Sequence, residues 1–307
     1  MKPVIVKRKI EGRFHLTLRK ATGEVKQELE FDNHITNAGL RAIVTSSLGT
    51  GYAYVGNGTS VPSDSDTKLS GSSWWWTAEG SGTSSTVSNR TVLPYWTETK
   101  TKRTFNPGIA TGVLTEIGMG PNQAGTTHIR TLIKDANGNP TSITKLADDF
   151  LDVVYTLRSY VPSEDIAFNV GINGTEVSGF MRPLRFFSSA YHAWQPFIVF
   201  PSFSYSTYAS TGLLPAIHSD SQSSLMGSGA ITSAATESTS VNDAANYKKR
   251  YTATWNPDKG NVTIKSIYMS DTWENGRATY GIQFNAPIVK TATQRFRFSF
   301  DMIVNRG

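Results

Sequence analysis

Apolar and polar residues alternate with period two along much of this chain. Phe14, Leu16 and Leu18, then Leu151, Val153, Tyr155 and Leu157, then Ile264 and Tyr268, and finally Phe296, Phe298, Phe300 and Met302 all follow it. Successive side chains of a strand point to opposite faces, so the pattern predicts half-buried strands. Turn-forming residues separate these runs: Ala21-Thr22-Gly23-Glu24, the segment Asp135 to Pro140, and Asn256-Pro257-Asp258-Lys259-Gly260 read as hairpin or inter-strand connections. One short helix is expected, with Thr36 or Asn37 as its cap, Leu40, Ile43 and Val44 on one face and Gly49 past its end. A counterpart is expected over Ser188 to Phe200, interrupted by Pro196. Ser, Thr and Gly crowd residues 56–90 and 202–241, which read as long loops or loosely paired edge strands.

The alternation also repeats on a larger scale. Phe105, Asn106, Pro107, Leu114, Ile117 and Met119 align with Trp255, Asn256, Pro257, Ile264, Ile267 and Met269, each 150 positions apart. Leu151 to Leu157 match Phe296 to Met302 at a separation of 145, Phe14 to Leu18 match Phe168, Val170 and Ile172 at 154, and the segments around Asp64 and Asp220 match at 156. Loops absorb such small length changes at little cost. The late connection of the second copy is shorter, with Asn285-Ala286-Pro287 in place of the Asp135–Pro140 loop, which accounts for most of the drop in separation. The expected architecture is therefore all-β: two tandem, duplicated antiparallel β-sandwich domains, residues 1–162 and 163–307, with long Ser/Gly-rich loops and at most one short helix each. A chain of 307 residues has room for two such cores.

Composition narrows the chemistry. With no cysteine, disulfides, thiolate catalysis and cysteine zinc sites are excluded. No run of eighteen apolar residues occurs, and the start MKPVIVKRKIEGRF has no signal-peptide pattern, so neither membrane insertion nor general secretion is expected. The net charge of +6 is modest, and the clusters Lys7-Arg8-Lys9 and Lys248-Lys249-Arg250 read as solvated or interface-facing rather than nucleic-acid binding.

Catalytic signatures are missing. His15, His34, His128, His192 and His218 are isolated, with no second ligand at metal-binding spacing. Asp148, Asp149 and Asp152 are the only acidic cluster, and strand alternation points Asp152 to solvent with Asp148 and Asp149 in a turn. No nucleophile elbow or P-loop is found. No catalytic, metal or cofactor-binding residue is therefore assigned, and no cofactor is expected. The residues with binding character are the consecutive Trp74, Trp75 and Trp76, together with Tyr191 and Trp194. Three tryptophans in a strand must alternate faces, so either the middle one or the outer two look away from the core, as a subunit contact or a sugar platform.

Several motifs occur in a fixed order. FDNHITNAGLRAI (Phe31 to Ile43) is followed by YVGNGTSVPSDSDTKLSG (Tyr54 to Gly71), by NPGIATGVLTEIGMG, and by IRTLIKDANGNPTSITKLADDFLDVVYTLRSY ending at Tyr160. As an ordered set they resemble tailed-bacteriophage virion proteins of tails, collars, fibres and other appendages. The likeness covers roughly residues 30–160; the second copy lacks the VGxGT element and ends in RFRFSFDMIV instead. It implies a non-enzymatic structural role in the virion, with assembly in the host bacterial cytoplasm. The implied partners are further copies of the chain and other virion proteins, with neither nucleic acid nor membrane. The alternative is a receptor- or glycan-binding fibre protein contacting host surface glycan.

Overall fold

The computed structural model describes residues 4–45, 48–80, 82–89, 92–94, 96–160, 162, 164–172, 175–183, 207–214, 232–271 and 277–307. The fold is all-β, with one α-helix among the described residues. Two compact units divide the chain. The N-terminal unit comprises Lys9–Ser88, Thr97–Ser159 and Asn305–Gly307; the C-terminal unit comprises Met1–Arg8, Asn89–Trp96 and Tyr160–Val304. A break at Ser159/Tyr160 lies close to the expected boundary at 162, but both chain ends belong to the unit other than the one expected for them.

The first strand explains that exchange. β1 (Val4–Arg19) is sixteen residues long and buries every second residue, from Val4, Val6, Arg8 and Ile10 through Gly12 to Phe14, Leu16 and Leu18. Arg8 and Gly12 interrupt the apolar series, so only its last part is visible as alternation. From Lys9 onward β1 belongs to the N-terminal unit, where it pairs antiparallel with β2 (Val25–Asp32) and with β12 (Phe150–Tyr160). The hairpin between β1 and β2 closes where Lys20 N–H donates to Glu24 O at 2.9 Å, with Gly23 at φ 89°, a left-handed conformation that favours glycine.

The same sheet continues from β12 to β7 (Trp96–Phe105) and to β6 (Gly82–Asn89). A second sheet of the N-terminal unit runs in the order β3 (His34–Ile35), β10 (Ile129–Leu132), β9 (Glu116–Gly120), β4 (Tyr52–Gly56), β5 (Trp74–Thr77). A small third pair joins β8 (Gly112–Leu114) to β11 (Ile143–Lys145). The expected helix is α1 (Asn37–Thr45). Thr36 caps it, its Oγ1 accepting from Gly39 N–H at 3.1 Å, while Leu40, Ile43 and Val44 are buried. Phe14 packs on Tyr155 and Phe31 at centroid distances of 5.1 and 6.1 Å. Lys145 is fully buried, and its ammonium donates to Asn106 O at 3.0 Å, tying β11 to the Asn106-Pro107 turn.

In the C-terminal unit one sheet runs in the order β13 (Ile166–Ile172), β14 (Thr175–Pro183), β20 (Arg277–Val289), β19 (Thr263–Asp271), β15 (Thr207–Ser210), β16 (Thr232–Ala234). The other places β17 (Glu237–Asp243), β18 (Lys248–Trp255) and β21 (Phe296–Arg306) beside the first residues of β1. Phe168, Phe284 and Phe298, from β13, β20 and β21, meet at 6.0–6.2 Å between centroids. Trp255 is fully buried and its indole N–H donates to Ser233 O at 3.0 Å. Lys290 donates to Asn256 O at 2.8 Å.

One sequence expectation needs correction here. Asn285-Ala286-Pro287 is not a turn: β20 runs through it, and the β19–β20 register jumps from Ile264↔Ile288 to Ser266↔Gln283. A bulge thus takes up the extra residues without ending the strand. The helix expected over Ser188 to Phe200 lies outside the described residues.

Candidate functional site

The motif residues converge on one place. Glu116 opens β9, in which all five residues are buried, and Arg130 sits on β10, where Leu132 is paired with Glu116 and Arg130 with Gly118. The two charged residues are thus diagonal neighbours, within reach of long side chains. Glu116 is 0 % and Arg130 1 % exposed. A buried charge costs several kcal/mol unless it is paired and hydrogen-bonded, and this pair meets both conditions. Arg130 donates to Glu116 from Nε at 3.1 Å and from Nη2 at 2.9 Å. Its Nη1 donates to Asp66, and Nη2 also reaches Ser60 O and Oγ, both at 2.9 Å.

The remaining lone pairs of Glu116 hold a loop. Its carboxylate accepts from Gly58 N–H at 3.1 Å, Ser70 N–H at 3.0 Å, Ser70 Oγ–H at 3.1 Å and Gly71 N–H at 2.7 Å. Residues 57–71, the greater part of the motif VGNGTSVPSDSDTKLSG (Val55 to Gly71), are thereby pinned to the core. Here glycine matters for space: a Cβ on Gly58 would strike the Glu116 carboxylate, the Ser70 hydroxyl and the Gly71 backbone nitrogen. Burial pushes the Glu116 pKa up, but the hydrogen bonds from Ser70 and Gly71 and the guanidinium of Arg130 outweigh it, so the net shift is downward. Glu116 is therefore a carboxylate whose bonding capacity is used structurally. Neither residue stands out by periodicity; the available signal was an acid and an arginine in runs otherwise built for burial, which must find each other.

A related cluster fastens the chain end. Arg306 donates from Nε to Ile35 O at 2.6 Å, from Nη1 to Asp64 at 3.0 Å and from Nη2 to Asn37 Oδ1 at 2.7 Å. Asp64 also lies 2.8 Å from His34 Nε2. The FDNHITNAGL and PSDSD motifs thus meet each other and the last residues of the chain.

The acidic cluster differs from its expected placement. Asp152 is only 8 % exposed. It accepts from Arg19 Nε at 2.9 Å, Lys102 Nζ at 3.2 Å and Thr104 Oγ1 at 2.8 Å. Alternation alone put it in solvent; three donors on β1 and β7 make a covered position favourable. Asp149 is in a turn, as expected, but buried, accepting from Lys26 Nζ at 2.7 Å and Leu146 N–H at 2.9 Å.

The tryptophans lie on β5, which ends the pairing order of the second sheet among the described residues. Trp74 and Trp76 share a face with Tyr54 and Tyr52, at centroid distances of 6.0 and 5.5 Å, and Trp75 looks the other way. Trp76 is 39 % exposed, whereas Trp74 and Trp75 are half-buried. Trp74 covers Gly125, where a Cβ would lie 2.9 Å from the indole. Tyr191 and Trp194 lie outside the described residues, as do His192 and His218.

Two polar concavities of about 160 and 530 Å³ share Glu11, Arg13 and Asp32 on the outer face of β1 and β2. Arg13 pairs with Glu30 at 2.9 Å and Asp32 at 3.2 Å, and Arg158 with Glu98 at 2.7 Å, so these charges are engaged with one another. His15 reaches Glu28 at 2.6 Å, and His128 Nδ1 accepts from Gly49 N–H at 2.9 Å, its pKa lowered by burial. Among the described residues no group of three or more His, Asp or Glu could hold a metal ion, and no helix is long and apolar enough to cross a membrane. No family model, curated protein or solved structure matches the chain.

Proposed function

We propose that the protein is a non-enzymatic structural component of a tailed-bacteriophage particle. In this reading it is a tail, collar or tail-associated appendage protein that assembles in the host cytoplasm as a symmetric homo-oligomer, bound to other virion proteins and needing no cofactor. The observation that carries the reading is the use made of the motif residues. Gly58, Asp66, Ser70, Gly71, Glu116 and Arg130 are among the charged, small and polar positions of the virion-like motifs, and they are spent on one bracket, centred on the buried Glu116 and Arg130, that holds a loop. A motif that builds a rigid loop suits a building block.

We also propose that the two units are diverged copies of one β-sandwich. The pairing order β3–β10–β9–β4–β5 has a parallel in β14–β20–β19–β15–β16, and β6–β7–β12 in β17–β18–β21. Residues 150 positions apart occupy like environments: Phe105 and Trp255, Leu114 and Ile264, and Ile117 and Ile267 are all buried. Lys145 and Lys290, which align at the separation of 145, donate to the carbonyls of Asn106 and Asn256. Two copies per chain let a ring of subunits present twice as many similar contact positions, useful where rings of different symmetry meet.

Solution mass measurement on the purified protein, with imaging of the intact particle at subunit resolution, tests the structural reading. The expected result is a closed homo-oligomer, present in defined positions on the particle. A protein that stays monomeric at high concentration and is absent from the particle refutes it.

Exposure of Trp76 beside Tyr52 favours one second reading, a glycan-binding fibre protein, since an exposed indole offers an apolar face to a sugar ring. That reading expects the isolated protein to bind host cells and Trp76→Ala to lose at least tenfold in affinity while folding normally. Binding unchanged by the substitution removes it.

A further inference from the structure

We propose that the groove around Arg13, on the outer face of β1 and β2, is a saccharide-binding site that takes a neutral sugar through its hydroxyl groups. The inference goes beyond the structural reading and stands or falls separately from it. A third concavity, of about 390 Å³, shares Arg13 and Asp32 with the two already described. The largest of the three, at about 530 Å³, has the size of an ordinary small-molecule site.

Strand register sets the chemistry at the shared point. Asp32 lies directly opposite Arg13, and Glu30 follows two positions along on the same face of β2. Arg13 has five N–H groups. Its Nε donates to Asp32 Oδ1 at 3.2 Å and its Nη1 to Glu30 Oε1 at 2.9 Å, which holds the guanidinium in one orientation. Among the described residues Nη2 donates to nothing, and neither Asp32 Oδ2 nor Glu30 Oε2 accepts a hydrogen bond. The groove thus offers a fixed donor flanked by two acceptors. Hydroxyls on neighbouring ring carbons each donate and accept, so a sugar diol can use both kinds of group at once. Because the protein groups are ionised, such bonds are stronger than neutral ones.

Charge argues for a neutral ligand. The two carboxylates on Arg13 outnumber its one positive charge, so an anion meets net repulsion there. Over all three concavities five acidic and five basic side chains balance. Among the described residues no group of three or more His, Asp or Glu could hold a metal cation. A protein or lipid partner would need apolar surface for an anchor. The large apolar residues lining the groove, Ile10, Phe31 and Ile35, are at most 5 % exposed.

Saturation-transfer NMR on the full-length protein tests the site. The probes are glucose, galactose, N-acetylglucosamine, maltose and lactose, each at about 10 mM, which reads affinities in the millimolar range. The expected result is signal from at least one sugar. Arg13→Ala should weaken that binding at least tenfold, and Arg13→Lys should restore only part of it, because an ammonium lacks the planar fork. Exposed ion pairs add little stability, so both variants should fold normally by circular dichroism.

No signal from any of the sugars, or a signal that Arg13→Ala leaves unchanged, overturns the proposal. Inorganic sulfate binding in place of sugar, and lost in Arg13→Ala, reassigns the groove to anions and also overturns it. Trp76 lines none of the three concavities, so Trp76→Ala should keep the signal. A signal lost in Trp76→Ala and kept in Arg13→Ala places the sugar on β5 instead. Solution mass, measured on the same samples, bears only on the structural reading.

Discussion

Glu116→Ala is expected to destabilise the protein by about 3–5 kcal/mol, the usual cost of stripping one partner from a buried ion pair. The effect has two sources. Arg130, only 1 % exposed, keeps Asp66 but loses its two bonds to Glu116. Gly58, Ser70 and Gly71 lose the acceptor of their backbone N–H groups, and unsatisfied buried donors cost about 1–3 kcal/mol each where water cannot replace the partner. For a unit of this size the thermal midpoint should fall by on the order of 10 °C. Hydrogen exchange should rise first in residues 57–73. Glu116→Gln should cost less than alanine, because it retains a carbonyl acceptor, and adding Arg130→Met to it should restore part of the loss. Calorimetry checks these values. If Glu116→Ala costs less than about 1 kcal/mol, the bracket is not what holds the motif loop.

Acid should destabilise the protein chiefly through its buried, paired carboxylates. Glu116, Asp149, Asp152 and Asp301 are buried, which by itself raises a carboxylate pKa; in each case hydrogen bonds and cations outweigh burial and the net shift is downward. For Asp301 these come from Arg250 and Lys248, and for Asp152 from Arg19, Thr104 and Lys102. A folded-state pKa below the unfolded one means that the unfolded chain binds more protons in the intervening window. Stability from these groups is thus complete above the ordinary values of 3.8 for Asp and 4.5 for Glu, and is lost as pH falls through the lowered values. The thermal midpoint should start to ease below about pH 6.5, where the unfolded chain protonates His128 first, and decline more steeply below about pH 4 as the carboxylates follow. Asp152→Asn should be less stable than the parent at pH 7, with the gap narrowing as pH falls below the ordinary value of 3.8, where the unfolded parent takes up a proton that the folded parent resists. A gap independent of pH would mean that Asp152 contributes through packing alone.

Much of the architecture was legible because strand burial has a short period. Phe14 to Leu18, Leu151 to Leu157 and Phe296 to Met302 carry their burial pattern in the residues themselves. The helix at Asn37 was legible from a capping threonine and one apolar face. Positions where a polar residue takes a buried place were not. Arg8 occupies an inward position of β1 and donates to Tyr160 O at 2.9 Å and the Tyr280 hydroxyl at 3.0 Å, so the strand looked shorter than it is. Asp152 reads as a solvent-facing residue until its three donors are known. Asn285-Ala286-Pro287 reads as a turn, but a bulge carries the extra length within one strand.

The sequence by itself therefore determined the all-β character, the positions of most strands, the helix and its cap, and the order of motifs behind the virion reading. Those properties depend on local periodicity and local backbone preference. Only the tertiary structure decided the pairing order of the strands, the assignment of both chain ends to their units, and the meeting of Glu116 with Arg130 and the 57–73 loop. These depend on which distant groups satisfy one another's hydrogen bonds and charges, and alternation carries no record of that. The tryptophans show the same division. Their sequence required opposite faces, but only the register with β4 set Trp74 and Trp76 beside Tyr54 and Tyr52 and left Trp76 partly in solvent.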